Sequence, residues 1–360
     1  MIGIFGSGQL GLMLAEAARP LGFECVFLDN NTTGPASLIG KVYPESEFEI
    51  FCETLDVASL EFENTPLDLA QKLEDRGVLF PGVKALRVAQ DRLIEKRTFK
   101  QLDIPTTGFY EIQCSDDLTL AVKEIGLPMV VKTTRGGYDG KGQYVVKTAR
   151  DIEAAWSELG AKFPLIVEAF VDCSREVSLI GVRGRTGEFA SYPLVENHHA
   201  GGILSHTFAP ANNQDQIIGA ATAKLKTLME HLDYVGVLTL ELFETADGLL
   251  ANEIAPRVHN SGHWSIEGAV CSQFENHIRA VTGLPLGSTQ ITQPSVMINI
   301  LSKYPDAAQL LKIKGAHLHH YHKSERADRK IGHITLSKCD TPDDYRLLAI
   351  KDILPHAPSF

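Results

Sequence analysis

The stretch Val235-Gly-Val-Leu-Thr-Leu-Glu-Leu-Phe-Glu-Thr-Ala-Asp-Gly-Leu-Leu-Ala-Asn-Glu-Ile254 predicts a β-hairpin. Its two halves are rich in β-branched and apolar residues, which is the composition of paired strands. Ala246-Asp247-Gly248 lies between them and predicts a three-residue turn, with glycine where a positive φ is needed. The hairpin therefore has a defined register, because the centre of the turn decides which residues face each other.

Two glutamates face each other in this register. A turn centred on Asp247 places Glu241 opposite Glu253, with both side chains on one face of the hairpin. Facing carboxylates repel each other unless a cation lies between them. Mg²⁺ suits this position because it prefers oxygen ligands and leaves coordination positions for nucleotide phosphates. The alternative is a pair of solvated glutamates on an exposed sheet face.

The overall composition is that of a globular protein with more than one domain. A chain of 360 residues predicts two or three domains, and its net charge of -11 argues against a nucleic-acid surface. The six cysteines are scattered without a C-x-x-C pair, as is typical of proteins in the reducing cytoplasm. No apolar run of about 18 residues predicts a membrane span. Ile2–Phe5 opens the chain as a strand rather than as a signal peptide.

A glycine-rich loop follows this first strand. Gly6-Ser-Gly-Gln-Leu-Gly11 leads into a helical pattern, and a second strand ends at Asp29. A G-x-G-x-x-G loop with an acid about 20 residues further on is the fingerprint of dinucleotide binding. A nicotinamide-dependent oxidoreductase is therefore one hypothesis. The loop also suits a different anion at the helix N-terminus, or a tight turn without a ligand.

A third predicted strand ends in acidic residues. Ala58-Ser-Leu-Glu-Phe-Glu-Asn-Thr-Pro66 carries Glu61 and Glu63 at its end. The C-terminal ends of strands line the ligand crevice in an open α/β sheet. Glu63 is therefore a candidate substrate-binding residue, and the alternative is a solvated loop acid.

A second glycine-rich segment lies between two strands. The apolar strand Leu127–Lys132 runs into Thr133-Thr-Arg-Gly-Gly-Tyr-Asp-Gly-Lys-Gly-Gln143, and the strand Tyr144–Val146 follows. A Walker A loop would lead into a helix instead. A glycine flap of this kind places N–H groups over phosphates, with Lys132 as a point charge beside them. The alternative is a hairpin with a long loose loop.

These features, taken in chain order, resemble the ATP-grasp superfamily. The resemblance rests on Lys132, the glycine flap, Glu168–Val171, Glu176 and the facing glutamates. More narrowly, G-S-G-Q-L-G, G-G-Y-D-G-K-G-Q and N-E-I-A-P-R-V-H-N-S-G-H-W resemble the 5-(carboxyamino)imidazole ribonucleotide synthetase family over nearly the whole chain.

The resemblance implies a three-domain α/β and α+β fold. Residues 1–90 would form an N-terminal Rossmann-like domain with an open parallel sheet. Residues 91–290 would form the two-lobed ATP-grasp domain, and residues 291–360 a small β-rich domain.

The resemblance also implies a set of residues for each ligand. Glu241 and Glu253 would hold one or two Mg²⁺ ions. The ATP-binding residues would be Arg92, Lys132, Gly137, Tyr138, Asp139, Gly140, Lys141, Gly142, Gln143, Glu168, Ala169, Phe170, Val171, Glu176, His199, Asn252 and Glu253. Glu168 and the backbone near Phe170 would contact the adenine edge. Glu176 would bind the ribose hydroxyls.

The substrate residues come from three regions of the chain. Gln9, Leu10 and Glu63 would bind the phosphoribosyl substrate, with His259 and Asn260 closing on the aminoimidazole and bicarbonate. The catalytic residues would be Tyr138, Asp139, Lys132 and Arg257.

The C-terminal region combines histidines with basic residues. At the strand period, the histidines within His317–His322 point to opposite faces, and residues 315–324 contain no carboxylate, so a metal site is disfavoured there. Lys323, Arg329 and Lys330 instead predict a basic pocket for the ribose phosphate. The alternative is a solvated basic edge strand.

The activity implied by the resemblance is the carboxylation of 5-aminoimidazole ribonucleotide with bicarbonate and ATP, in purine biosynthesis. A cytoplasmic homodimer without nucleic-acid or membrane partners is expected. The alternatives are a formate-dependent glycinamide ribonucleotide ligase of the same superfamily and, in a different class, the NAD-dependent oxidoreductase.

Overall fold

The computed structural model describes residues 1–137, 142–162 and 164–354. In chain order the strands are β1 Ile2–Phe5, β2 Cys25–Leu28, β3 Val42–Tyr43, β4 Val57–Leu60, β5 Phe109–Ile112, β6 Met129–Thr133, β7 Gln143–Val146, β8 Leu165–Ala169, β9 Arg175–Arg183, β10 Phe189–Ser191, β11 Val195–Ala200, β12 Ile203–Ala209, β13 Gly236–Thr245, β14 Gly248–Ala255, β15 Ser295–Leu301, β16 Ala316–His320 and β17 Lys330–Ser337. The α-helices are α1 Gln9–Ala18, α2 Phe48–Glu53, α3 Leu67–Asp75, α4 Val83–Ala89, α5 Arg92–Gln101, α6 Ser115–Ile125, α7 Asp151–Leu159, α8 Ile218–His231, α9 Ser265–Gly268, α10 Gln273–Thr282, α11 Ala307–Leu310 and α12 Tyr345–Ile353.

The N-terminal strands form an open parallel sheet in the order β3-β2-β1-β4. β1, β2 and β4 are buried along their whole length, because helices cover both faces of a parallel sheet. The predicted Rossmann-like sheet is confirmed. The glycine loop follows β1 and Glu61 follows β4, so both lie at the C-terminal edge of this parallel sheet.

A small antiparallel sheet, β5-β8-β6-β7, carries the glycine flap. β6 alternates between buried and half-buried residues, with Met129, Val131 and Thr133 inside. Lys132 therefore lies on the opposite face, towards the space between the lobes. This is the strand–flap–strand arrangement predicted from the sequence.

The largest sheet is antiparallel and runs β14-β13-β9-β11-β12-β15-β17-β16, with β10 added to β9. β12 pairs with β15, so strands on either side of residue 291 belong to one sheet. The mixed fold, with a parallel N-terminal sheet, an ATP-grasp centre and a β-rich C-terminal part, is confirmed. Within the described ranges, no helix combines the length and apolar character needed to cross a bilayer.

The central hairpin closes with a tighter turn than predicted. Thr245 pairs with Gly248, so the turn consists of Ala246 and Asp247 alone, and the predicted three-residue turn is wrong. Gly248 has a φ of +117°, a conformation that side chains disfavour, and it opens the returning strand.

A β-bulge restores the predicted register further along the hairpin. Between the Leu242–Ala251 and Leu240–Ile254 pairs, β13 contributes Glu241 alone. The facing segment of β14 contributes two residues, Asn252 and Glu253. Bulges of this kind redirect side chains next to functional sites. Here the bulge offsets the shorter turn by one residue, so Glu241 and Glu253 still lie side by side.

Candidate active site

Glu241 and Glu253 lie close enough for their charges to interact. Glu241 accepts from His259, whose Nε2 is 3.1 Å from Oε1. Although burial acts to raise it, the charge of His259 and this hydrogen bond hold the pKa of Glu241 at about 2. Burial and the Glu241 charge both raise the pKa of Glu253. A cation placed between the two carboxylates would relieve this repulsion.

The donor set fits Mg²⁺ shared with a phosphate better than a metal held by protein alone. Two hard carboxylate ligands meet at Glu241 and Glu253, and Mg²⁺ keeps several positions for waters and phosphates. No group of three or more His, Cys, Asp or Glu side chains suited to a metal is found in the part of the chain that the structure describes.

Two predicted cations border these carboxylates. Arg92 begins α5 and places its guanidinium 3.9 Å from the Glu253 carboxylate. The same side chain donates to the carbonyl oxygens of Thr133 at 3.3 Å and Gly137 at 3.4 Å. Lys132 extends from β6 and lies 3.2 Å from Glu168. Arg92 and Lys132 therefore place positive charge close enough to act on Glu253.

Glu168 is bound by lysines, whereas the resemblance places it at the adenine edge. Its side chain is only 3% exposed and lies 3.2 Å from both Lys132 and Lys96. Although burial acts to raise it, the two lysines hold the pKa of Glu168 at about 2. In this structure its carboxylate is therefore an internal counter-ion.

Two backbone N–H groups that follow Glu168 already donate hydrogen bonds within the protein. The N–H of Ala169 donates to Gly108 at 2.8 Å, and that of Phe170 to Pro128 at 3.2 Å. The Phe170 side chain is exposed, as suits a residue that covers a planar ring. Val171 follows directly at the end of this strand.

Lys96 and Glu95 are functional-site neighbours that sequence reasoning missed. Both are fully buried on α5, where charged residues are rare unless paired. Burial and the Glu253 charge raise the pKa of Glu95 to about 8, and burial lowers the pKa of Lys96. The signal was weak, because Gln90–Phe99 has the composition of an ordinary polar helix.

Glu176 and His199 meet on neighbouring strands. His199 Nδ1 lies 3.1 Å from the Glu176 carboxylate. Although burial acts to lower it, the hydrogen bond and charge of Glu176 raise the pKa of His199. A cavity of about 300 Å³ lies alongside, lined by both residues and by Asn197. The structure thus brings together the predicted ribose and nucleotide residues.

The glycine loop of the dinucleotide fingerprint is filled by the chain itself. The N–H groups of Gly8 and Gly11 both donate to the Glu61 carboxylate, the first at 2.6 Å. The N–H and hydroxyl of Ser7 donate to Asp29, each at 2.8 Å. A Cβ on Gly11 would lie 2.7 Å from Glu61, so the glycine makes room for this carboxylate. The N–H groups that a dinucleotide pyrophosphate would need are therefore already occupied.

The predicted substrate residues of this loop divide into two kinds. Leu10 is 8% exposed and packs in the apolar core, so its side chain is not available to a ligand. Gln9 instead accepts a hydrogen bond from the ammonium of Lys323. Burial, with the charge of Arg329, lowers the pKa of Lys323 to about 8. The predicted loop and the predicted basic pocket therefore meet.

Glu63 and Arg257 form an ion pair that joins the segment after β4 to the segment after β14. His259 follows on the same segment and bonds to Ser261 through Nδ1 at 2.8 Å. Asn260 exchanges two hydrogen bonds with Asn299 of β15, at 3.0 and 2.7 Å. Asn299 is buried and was not predicted.

Two further basic residues of the C-terminal region lie close enough for their charges to act on Lys323. Arg329 is held at the surface by Ser324 at 2.8 Å, and Lys330 begins β17. His319 stacks on buried His333 at 4.2 Å and lies 2.7 Å from Glu267. A carboxylate thus reaches the histidines from a distant segment.

The tip of the glycine flap lies outside the described residues, and with it Tyr138, Asp139, Gly140 and Lys141. The described ends of the flap are held in place. The carbonyl of Gly142 accepts from the Thr133 N–H at 2.9 Å. Gln143 pairs with Lys132.

Comparison with known proteins defines the class of this protein. An ATP-grasp domain matches residues 97–274, and a ribonucleotide synthetase preATP-grasp domain matches residues 1–90. A phosphoribosylaminoimidazole carboxylase C-terminal domain matches residues 295–343. The fold is that of an ATP-grasp ligase.

Individual relatives narrow this class to one family. The N5-carboxyaminoimidazole ribonucleotide synthase of Pseudomonas aeruginosa is 46% identical over 344 residues, covering 94% of this chain and 95% of the relative. The crystal structure of the synthetase from Thermus thermophilus has a TM-score of 0.95 at 47% identity and covers 100% of both chains. The Aspergillus clavatus synthase in complex with ADP and 5-aminoimidazole ribonucleotide has a TM-score of 0.88 at 29% identity, covering 98% of this chain and 96% of that one. This chain belongs to the N5-carboxyaminoimidazole ribonucleotide synthase family.

Proposed function

We propose that this protein carboxylates 5-aminoimidazole ribonucleotide with bicarbonate, using ATP and yielding ADP and phosphate. The observation that carries the proposal is the meeting of Glu241 and Glu253 with the cations Arg92 and Lys132. Family membership supports the substrate, since the Aspergillus relative was solved with ADP and 5-aminoimidazole ribonucleotide.

The nucleotide would lie between the small antiparallel sheet and the hairpin. Glu176 and His199 would contact its sugar, while Arg92 and Lys132 would neutralise its phosphates. Glu241 and Glu253 would hold Mg²⁺, which supplies charge neutralisation to the transferring phosphoryl group when bound. Asn252 lies beside Glu253 in the bulge.

The remaining residues would position bicarbonate and the amine. Bicarbonate is a weak nucleophile, so orientation and charge neutralisation must supply most of the catalysis. Its attack on the γ-phosphate gives carboxyphosphate, which releases carbon dioxide for capture by the amine. Arg257, His259 and Asn260 would bind these groups, with Glu63 orienting Arg257.

The flap would exclude water from this reaction. Carboxyphosphate hydrolyses readily, so the intermediate needs a closed site. Tyr138 and Asp139, which lie outside the described residues, are proposed as catalytic residues, with Asp139 orienting the amine or accepting its proton. Lys323, Arg329 and Lys330 would bind the ribose phosphate beside Gln9.

The test is ADP release by the purified protein with Mg-ATP and 5-aminoimidazole ribonucleotide. Turnover that requires both bicarbonate and the ribonucleotide is the expected result. Activity with formate and glycinamide ribonucleotide instead would move the function to the sister ligase. A homodimer, proposed from the family, is checked separately by light scattering on the eluting protein.

A further inference from the structure

The strand that carries Glu253 lies at the edge of the large sheet. β14 pairs with β13 on its inner side. On its outer side it meets a short segment at Pro105 and Thr106, where the Ala251 N–H donates to Pro105 at 2.7 Å. Beyond Ala251 the outer edge of β14 faces α5. An edge strand with a bulge has few ladder bonds to hold its backbone, so α5 must supply other partners.

Glu95 binds one of the two peptide groups that flank Glu253. Its Oε1 accepts the backbone N–H of Ile254 at 2.7 Å. The Glu95 side chain is 2% exposed, so water cannot replace it as the acceptor. The peptide that follows Glu253 is thus tied to the first turn of α5.

Lys96 binds the other peptide group. Its ammonium donates to the carbonyl oxygen of Asn252 at 2.7 Å, within the peptide that precedes Glu253. The same nitrogen lies 3.2 Å from Thr106 Oγ1 and 3.2 Å from the Glu168 carboxylate. Lys96 therefore joins the hairpin to β8 of the small sheet as well as to α5.

We infer that Glu95 and Lys96 are positioning residues. They hold the Glu253 carboxylate beside Glu241 by hydrogen-bonding to the peptide groups on either side of Glu253. This inference rests on the proposed function, in which Glu253 binds Mg²⁺. These hydrogen bonds are needed because the two carboxylates repel each other whenever the metal is absent, and that repulsion would displace the backbone of a bulged edge strand. Residues that orient metal ligands in this way commonly affect metal affinity by about 10- to 100-fold.

A pair of substitutions at Glu95 separates positioning from simple folding. Glu95→Gln keeps an acceptor for the Ile254 N–H, whereas Glu95→Leu removes it. Binding of ADP is measured by calorimetry with and without Mg²⁺. We expect Mg²⁺ to strengthen ADP binding by the same factor in the wild type and in Glu95→Gln. In Glu95→Leu that factor should be about 10-fold smaller. Arg97→Met, which removes an exposed cation from the same helix, should behave as the wild type.

The outcomes distinguish this inference from the proposed function. A Glu95→Leu variant with the full effect of Mg²⁺ on ADP binding would overturn the positioning role, whatever its melting temperature. Should Glu95→Leu not fold, Lys96→Met makes the same comparison, and retention of the full Mg²⁺ effect would again overturn it. A wild type that binds Mg-ADP yet consumes no bicarbonate would refute the carboxylation alone. A wild type with no Mg²⁺ effect would refute the metal assignment and this inference together.

Discussion

At the scale of single residues, the site keeps like charges together. The charge of Glu241 raises the cost of ionising Glu253, although Arg92 lies 3.9 Å from Glu253 and His259 lies 3.1 Å from Glu241. Such an arrangement lowers the stability of the protein without its ligand, as is common where function needs unfavourable contacts. Substitution should therefore separate stability from activity.

Glu253→Gln should abolish ATP turnover while leaving the fold at least as stable. The amide cannot neutralise a metal ion, and it no longer repels Glu241, so we expect turnover to fall about 100-fold or more with no loss in melting temperature. Glu230→Gln on the surface of α8 is the control, since its pair with Lys226 is exposed. ADP release and thermal melting are the measurements. Near-normal ADP release by Glu253→Gln would contradict the metal assignment.

At the scale of elements, α10 is tied to two sheets by one buried histidine. His277 is fully buried and lies 2.6 Å from the Ser59 hydroxyl of β4. Its Nδ1 accepts the Val237 N–H of β13 at 3.0 Å, which requires that nitrogen to be unprotonated. Gly236 permits this approach, because a Cβ there would lie 2.9 Å from the imidazole ring.

The protein should therefore lose stability in acid through His277. Burial lowers its pKa from 6.5 to about 4 in the folded state. Between these pH values the unfolded chain binds a proton that the folded protein does not, so stability falls as the pH drops through this window. The stability advantage of the wild type over His277→Gln should shrink by about 3 kcal/mol from pH 7 to pH 4.

Urea unfolding at several pH values measures this difference. His317→Gln, on the exposed side of β16, is the control for loss of a histidine. A difference between wild type and His277→Gln that stays constant with pH would show that His277 does not carry this part of the acid sensitivity.

At the scale of the whole molecule, the site is assembled from both ends of the chain. Lys323 reaches Gln9 in the N-terminal glycine loop, and Glu63 pairs with Arg257, which lies two residues beyond the end of β14. The C-terminal strands also extend the sheet that carries the hairpin. Binding of the ribonucleotide is therefore expected to depend on contacts between distant parts of the sequence.

Lys323→Met should weaken binding of the ribonucleotide and leave binding of the nucleotide unchanged. Loss of one charge-assisted contact to a phosphate is expected to raise the KM for 5-aminoimidazole ribonucleotide about 10-fold or more. The affinity for Mg-ADP should stay unchanged, because Lys323 donates to Gln9, a residue that the proposal assigns to the ribonucleotide and not to the nucleotide. Lys312→Met, an exposed lysine before β16, is the control. An unchanged KM would place the ribose phosphate elsewhere.

Local patterns predicted the elements of this molecule well. The hairpin, the strands on either side of the flap and the first parallel strand follow from apolar content and glycine position, which act over a few residues. The turn length was wrong, because a two-residue turn with a bulge and a three-residue turn without one give Glu241 nearly the same neighbours. Short-range patterns do not separate these two solutions.

The partners of buried charges could not be predicted in the same way. The contact between Lys96 and Asn252 spans 156 positions, and that between Gly11 and Glu61 spans 50. Neither residue pair has a sequence signature. Their pairing follows from the cost of burying an unpaired charge, and that cost arises only once the domains have packed.

By itself, the sequence determined the strand and helix pattern, the facing glutamates and the family motifs, because these depend on side-chain periodicity and on residues near each other in the chain. Only the tertiary structure decided that Glu61 fills the glycine loop and that Glu168 is held between two lysines. It also decided that α5 forms hydrogen bonds with the backbone on both sides of Glu253. The physical reason is that burial, and with it the requirement for a hydrogen-bond or ionic partner, is a property of the packed molecule.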